Sequence, residues 1–362
     1  MYFDNIRTNF FKIIKYHNIK ILLVYDKIVS SEIMYDIAII AGDGIGQEVM
    51  NACEYLLDKI DLEFSFKYGE AGFDCFGKNG VTLPEETIKI AEKSDAVLFG
   101  ASTSTPGQPS PIINLRKALN VYANIRPIKS YRGVNCLRDD IDFVIVRENT
   151  EGLYSQVEYG DENKMIAERV ITRKASERIS KAAFNLCIKR GQSKVTCVHK
   201  SNVLKKTDGV FKESFYNVAK QYPQIKTEDY YVDAMAMYLV TQPQNFDVIV
   251  STNLFGDILS DESAGLVGGL GLAPSGNIGD HNGLFEPVHG SAPDIAGKHI
   301  ANPCSMILSA SMMLDYLGEW GTANDIKNAV EKVIAECKIR TPDLGGDAST
   351  IDITKAIVKE LI

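Results

Sequence analysis

Tyr35-Asp-Ile-Ala-Ile-Ile-Ala-Gly-Asp-Gly-Ile-Gly46 is the stretch on which the fold class turns. An apolar, strand-like run passes into a glycine turn, and a helix-like pattern follows from Gln47. Outward from it, apolar runs recur at Ala96–Gly100, Phe143–Val146, Val195–Val198 and Val248–Val250, with helical patterns between them, as over Ala175–Arg190. Strands alternating with helices predict α/β architecture built from crossover units. The glycine turn has the setting of a phosphate cradle. Its spacing is G-x-G-x-G, however, whereas the Rossmann fingerprint is G-x-G-x-x-G. Glu63, the acidic residue about 20 positions on, begins an ordinary strand pattern. From the glycines alone, a plain tight turn and a nucleotide site are equally good readings.

A length of 362 residues corresponds to roughly two domains. Hydrophobic residues at 45% and charged residues at 24% exclude a disordered chain, a collagen and a coiled coil. With 39 basic and 47 acidic residues the net charge is −8, which disfavours nucleic acid or an anionic membrane as partner. No apolar run approaches the roughly 18 residues of a membrane helix. The seven cysteines are scattered without a C-x-x-C pair, and the five histidines lack i, i+4 pairing. Reduced thiols in a cytoplasmic protein are expected, rather than a disulfide frame or a zinc site. Residues 1–33 carry five basic and three acidic residues and lack a secretory pattern. Synthesis is expected to begin naturally at Met34.

Several groups point to chemistry. Arg116, Arg126 and Arg147 could fork onto the carboxylates of an acidic substrate, or could be ordinary solvated or salt-bridged arginines. Asp257 and Asp261, four apart in a helical pattern, share one helix face and repel unless a cation or an arginine lies between them. Oxygen ligands of this kind suit Mg²⁺ or Mn²⁺, with Asp233, at a strand-to-helix junction, as a third ligand; helix capping and a solvated face are the alternatives. Lys200 leaves an apolar strand and is a candidate acid or base, as is Tyr154; a surface lysine and a packed tyrosine are the bland readings. The small-residue loop His289-Gly-Ser-Ala-Pro-Asp-Ile-Ala-Gly297 with Ala301-Asn-Pro303 allows close approach of a flat ligand, and Asp294 could accept from a ribose diol while repelling a 2′-phosphate. A structural surface loop is the other reading.

The order of these motifs is more specific than any one of them. Gly42-Asp-Gly-Ile-Gly-Gln-Glu48, Leu115-Arg116, Ala123-Asn-Ile-Arg-Pro127, Arg147-Glu-Asn-Thr-Glu-Gly-Leu-Tyr154, His199-Lys-Ser-Asn202, Asn253-Leu-Phe-Gly-Asp-Ile-Leu-Ser-Asp261, Gly279-Asp280 and Glu286-Pro-Val-His-Gly-Ser-Ala-Pro-Asp294 occur in sequence. From about Met34 onward the chain resembles the β-decarboxylating dehydrogenases: isocitrate, isopropylmalate, homoisocitrate and tartrate dehydrogenases. The resemblance implies a two-domain α/β fold that is not a Rossmann domain. Its discontinuous large domain would span 34–121 and 268–362, and a small dimerisation domain 122–267, with 1–33 outside the match. It also implies a homodimer, or a dimer-based oligomer, with a shared cleft. Lys200 and Asp233 would reach into the partner's site.

By the same resemblance, Asp233, Asp257 and Asp261 would hold Mg²⁺ or Mn²⁺, and Arg116, Arg126 and Arg147 would hold the substrate carboxylates. Lys200 would take the hydroxyl proton and Tyr154 would protonate C3. His289, Gly290, Ser291, Ala292 and Asn302 would line the adenosine side, with Asn202 near the nicotinamide. NADP-using members carry Lys-Tyr where this chain has Asp294-Ile295, which selects NAD. For the third substituent, Ile112 and Ile113 favour an apolar group, whereas Ser110 could bond a distal carboxylate. The pattern Ser-Pro-Ile-Ile-x-Leu-Arg looks more like homoisocitrate members. The expectation leans to homoisocitrate or a related tricarboxylate, with 3-isopropylmalate next. Retention of Tyr154, Lys200 and the three aspartates argues against a non-catalytic regulatory paralogue.

Overall fold

The computed structural model describes residues 34–361. The expectation for residues 1–33 lies outside them. The described strands are β1 (Met34–Gly42), β2 (Glu63–Tyr68), β3 (Ala96–Ala101), β4 (Ala123–Lys129), β5 (Asp142–Glu148), β6 (Glu158–Asp161), β7 (Lys164–Ala167), β8 (Lys194–His199), β9 (Lys226–Tyr231), β10 (Val248–Ser251), β11 (Pro274–Ile278) and β12 (Gly283–Pro287). The helices are α1 (Ile45–Leu57), α2 (Phe73–Asn79), α3 (Glu85–Lys93), α4 (Pro111–Ala118), α5 (Arg173–Lys189), α6 (Thr207–Ala219), α7 (Val232–Thr241), α8 (Asn253–Leu266), α9 (Cys304–Leu317), α10 (Trp320–Glu336) and α11 (Thr350–Lys359).

Ten strands form one sheet in the order β2-β1-β3-β12-β11-β4-β5-β10-β8-β9. This is a mixed α/β sheet whose order differs from the Rossmann 3-2-1-4-5-6. Its flanks are parallel, as the crossover pattern predicts, but β12, β11, β4 and β5 pair antiparallel through the centre. The apolar flanking strands were legible as runs. Of the central four, β5 is such a run too, but β4, β11 and β12 were not legible, because Asn124, Arg126, Ser275, Asn277 and Glu286 interrupt them with polar side chains that face the site. β4 also carries Pro127, whose missing N–H is tolerated because β11 pairs only with Ala123–Ile125.

Burial separates by chain segment. Two clusters draw their buried members from Tyr35–Val121 and Leu272–Val358. Two others draw theirs from Ala123–Val267. α1 illustrates the local logic: Val49, Met50, Cys53, Leu56 and Leu57 fall on one face and bury against the first cluster. All seven cysteines are free thiols. Among the described residues, no helix is long and apolar enough to cross a membrane.

Candidate active site

The glycine turn resolves toward packing. Gly44 has φ +58°, and a Cβ there would lie 2.1 Å from the Ser291 carbonyl oxygen. The Ile45 amide donates to that carbonyl at 2.9 Å, and the Thr103 and Ser291 hydroxyls bond at 2.7 Å. Asp43, buried in the turn, accepts from the amides of Phe73, Asp74 and Thr103. The glycines therefore let β1 and α1 brace the loop that begins at His289.

Strand register assembles the arginines. In β4, Asn124 and Arg126 are two apart and share a face. Asn124 lies opposite Arg147 of β5 on one side and Asn277 of β11 on the other. Arg116 comes from the last turn of α4. All three arginines are buried. Arg116 forms an ion pair with Glu286 at 2.6 Å. Nη1 of Arg126 lies 3.0 Å from Asp261 and 3.3 Å from Asp257, and it donates to Ser260 at 2.7 Å. Arg147 donates to Asp257 and, through Nε and Nη2, to Asn253. The two aspartates of α8 are thus held together by an arginine between them, as their i, i+4 repulsion requires. Three buried guanidinium groups face three carboxylates, so the charge of the cluster is balanced, with Asp261 at its exposed edge.

These contacts set the ionisation states. Burial brings Arg147 down to about 10, which leaves it cationic at neutral pH. Burial opposes ionisation of Asp257, but Arg147 and Arg126 outweigh it and hold the carboxyl below its usual range. Asp261 is raised by burial, which its weaker arginine contact does not offset. Tyr154, on the turn Leu153–Ser155, donates to Asp257 and lies under the Arg147 guanidinium at 4.9 Å. Burial raises its phenol, so it keeps its proton at neutral pH.

Lys200 and Asp233 are placed elsewhere. Lys200 follows β8, Asp233 lies in the first turn of α7, and the two pair with each other. Asp233 is two-thirds exposed. Within one chain the metal set of Asp233, Asp257 and Asp261 is therefore divided. Among the described residues, no group of three metal-ligating side chains forms in a single chain. The Asp257–Asp261 pair still fits Mg²⁺ or Mn²⁺ as an all-oxygen half-site that lacks a third donor from the same chain.

Beneath Lys200, sequence reading missed two supports. Asp208, fully buried, accepts from the Lys200 amide at 2.6 Å and pairs with Arg169, which also reaches Thr252 at the start of α8. His199 bonds Asp229 at 2.9 Å and accepts from the Ser201 amide. Asp229 also takes bonds from Lys212 and Tyr216.

In the loop that Gly44 braces, His289 bonds the Gly290 carbonyl through Nδ1, so Nδ1 carries the hydrogen and Nε2 is left as a buried acceptor without a partner. Burial lowers its pKa and keeps the ring neutral. A Cβ on Gly290 would meet nothing within 4 Å, and Ala292 adopts φ +38°. An orphaned acceptor beside open space fits a flat, hydrogen-bonding ligand. Asp294 is exposed on the following turn. Asn302 is committed internally, donating to Asp343 and accepting from the Cys304 amide. Asn202 is exposed on the turn after β8. A cavity of about 160 Å³ joins the two regions, lined among others by Phe99, Ile112, Arg116, Arg126, Glu286 and His289. Ser110 precedes α4 at its N-cap and is not among the lining residues.

A model of the family described as isocitrate/isopropylmalate dehydrogenase matches residues 36–359. The chain is 57% identical over 333 residues to a 3-isopropylmalate/3-methylmalate dehydrogenase of Methanocaldococcus jannaschii, covering 91% of this chain and 99% of that relative. It is 50% identical over 341 residues to the homoisocitrate dehydrogenase of the same organism, covering 90% and 97%. A crystal structure of isocitrate dehydrogenase from Methylococcus capsulatus superimposes with a TM-score of 0.87 at 43% identity, covering 91% and 99%. Fold and relatives together define an oxidative, decarboxylating dehydrogenase. The chain belongs to the isocitrate/isopropylmalate dehydrogenase family, whose members use NAD(P) and a divalent metal.

Proposed function

We propose that this enzyme couples NAD reduction to the oxidation and decarboxylation of a 3-substituted malate, in a site completed by a second copy of the chain. The observation that carries the reading is the cluster of Arg116, Arg126 and Arg147 with Asp257, Asp261 and Tyr154, which reaches through Arg116 and Arg126 a cavity that His289 and Gly290 also line.

Arg126 and Arg147 would exchange their aspartate contacts for carboxylates of the substrate while Arg116 keeps Glu286 and offers its remaining N–H groups, since a dianionic ligand and a divalent cation arriving together preserve the charge balance. Asp257 and Asp261, with Asp233 of a partner copy, would hold Mg²⁺ or Mn²⁺. When bound, that ion supplies Lewis-acid stabilisation of the charge that develops on the C2 oxygen. NAD supplies the hydride acceptor. His289 would present its free Nε2 to a donor on the adenosine side, with Gly290, Ser291 and Ala292 forming the wall. Asn302 would hold that wall from behind, and Asn202 would lie near the nicotinamide. Asp294 favours NAD by repelling a 2′-phosphate. Lys200, released from Asp233 when that carboxylate turns to the cation, would as its free amine accept the C2 hydroxyl proton. Tyr154, protonated and aimed at Asp257, would deliver a proton to C3 after CO₂ leaves.

For the C3 substituent we favour an apolar group of the 3-isopropylmalate class. Ile112 and Phe99 line the cavity beside Arg116, whereas Ser110 does not. Homoisocitrate is the second reading, favoured by Ser110, whose hydroxyl makes no capping bond to α4. The two-part domain division follows the separated hydrophobic clusters, and the homodimer rests on exposed apolar side chains along α7, α8 and the β6–β7 ribbon, Met237, Val240, Ile258, Tyr159 and Met165. Seven free thiols accord with a reducing cytoplasm.

The test is NADH formation by purified protein with Mg²⁺ and a panel of 3-substituted malates. Turnover with 3-isopropylmalate above the tricarboxylates supports the reading. Preferred turnover of homoisocitrate reverses the substrate order, and none with any member removes the catalytic reading in favour of a regulatory one.

A further inference from the structure

Arg116 and Arg126 are joined by a buried hydrogen-bond chain that runs through neither aspartate of α8. Arg116 donates through Nε and Nη2 to Oε1 of Glu286 on β12. The same oxygen accepts from Nδ2 of Asn277 on β11 at 2.7 Å. Oδ1 of Asn277 accepts from Nδ2 of Asn124 on β4 at 2.8 Å, and Oδ1 of Asn124 accepts from Nε of Arg126 at 2.8 Å. All five side chains are buried, Asn124 and Asn277 completely. Asn277 lies in register with Asn124 and two residues from Ser275, the partner of Glu286 across the ladder.

The direction of every bond is forced from the ends. Guanidinium groups only donate, so Glu286 must accept and Asn124 must turn its oxygen to Arg126. That leaves Asn124 offering N–H to Asn277, which in turn offers N–H to Glu286. Asn277 is saturated: its two hydrogens go to Glu286 and the Leu284 carbonyl, and its oxygen takes Asn124 and, at 2.9 Å, Asn149. Asn149 also touches Arg116 at 3.4 Å. Reversing the Asn277 amide would oppose like groups on both sides.

We propose that Asn277 is a positioning residue that sets the spacing and orientation of Arg116 relative to Arg126, and thereby the fit of two carboxylates on one substrate. The proposal rests on the assignment of those arginines to substrate binding. Because Asn277 sits between strands drawn from the two chain segments with separate cores, it also ties the arginines of both segments to one frame.

Asn277→Asp tests this at constant shape. It keeps the acceptor toward Asn124 and Asn149 but sets a carboxylate against Glu286. At about pH 8 the KM for the substituted malate should rise about tenfold while the KM for NAD stays within about twofold. On lowering the pH to about 6 the gap from wild type should shrink, because two facing carboxyls can share a proton and restore the bond. Equal rises in both KM values, a malate KM that is unchanged at about pH 8, or a gap that does not shrink on lowering the pH, would overturn the proposal.

A second readout does not depend on turnover. In ¹⁵N-edited spectra of the intact protein, assigned by single Arg→Lys variants, the Nε–H signals of Arg116 and Arg126 should shift in Asn277→Asp. That of Arg147, whose Nε is held by Asn253, should not. If Asn277→Asp does not fold, Asn277→Ala is read in the same way. Shifts equal at all three arginines, or absent from Arg116 and Arg126, would refute the network. Absence of wild-type turnover would instead count against the functional reading.

Discussion

The phenol of Tyr154 donates a hydrogen bond to Oδ2 of Asp257, whose other oxygen is held by Arg147. The candidate proton donor is thereby fixed to a candidate metal ligand before any substrate arrives. Burial raises the phenol, so loss of its proton is not a background process at neutral pH. Tyr154→Phe removes the donated proton and leaves the ring beneath Arg147. The expected outcome is a fall in kcat of about a hundredfold or more with little change in the KM for NAD. Steady-state kinetics check it, and an unchanged kcat would remove Tyr154 from the proton path.

Gly44 has φ +58° and no room for a Cβ beside Ser291. Gly44→Ala should cost about 1–3 kcal/mol of stability, from backbone strain and the displaced loop. The KM for NAD should rise more than the KM for the malate, because the displaced segment carries Ser291 and its neighbours. Thermal unfolding and paired KM measurements decide. Normal cofactor affinity in a destabilised variant would separate the brace from the cofactor site.

Asp294 is exposed, and Ile295 follows it on the turn after Ala292. Replacing them together, Asp294→Lys with Ile295→Tyr, exchanges a charge that repels a 2′-phosphate for one that attracts it. The ratio of kcat/KM for NADP over NAD should rise by at least tenfold. An unchanged ratio would mean that discrimination lies outside this turn.

His199 is held below its ordinary 6.5 by burial, which outweighs the bond to Asp229. Below about pH 6.5 the unfolded chain therefore binds a proton that the folded site resists, so stability falls as pH falls and is level above that value. His199→Gln should flatten part of this slope. Melting temperatures of both proteins between about pH 5 and 7 provide the check, and parallel curves would contradict it.

Legibility in the sequence followed polarity. β1, β3, β5, β8 and β10 were readable because their burial on both faces makes them continuous apolar runs. β4, β11 and β12 were hidden because the functional face interrupts that run with Asn124, Arg126, Ser275, Asn277 and Glu286. The arginines and the α8 aspartates could be named from residue type and i, i+4 spacing. Their partners could not, since Glu286 reaches Arg116 across 170 positions and Asp208 supports the Lys200 amide from the next helix. One signal was available: two-residue periodicity places Asn124 on the same strand face as Arg126.

Complementation between inactive variants tests the shared site most directly. Lys200→Met removes the base, and Asp257→Asn weakens the half-site for the cation. If Lys200 works in the partner's cleft, each mixed dimer contains one site with both groups intact and one with neither. Co-expressed variants should then recover about a quarter of wild-type turnover, since half the dimers are mixed and half of their sites are whole. Recovery near that level is the predicted result. Mixed dimers, verified by differential tagging, that remain as inactive as either parent would contradict the account.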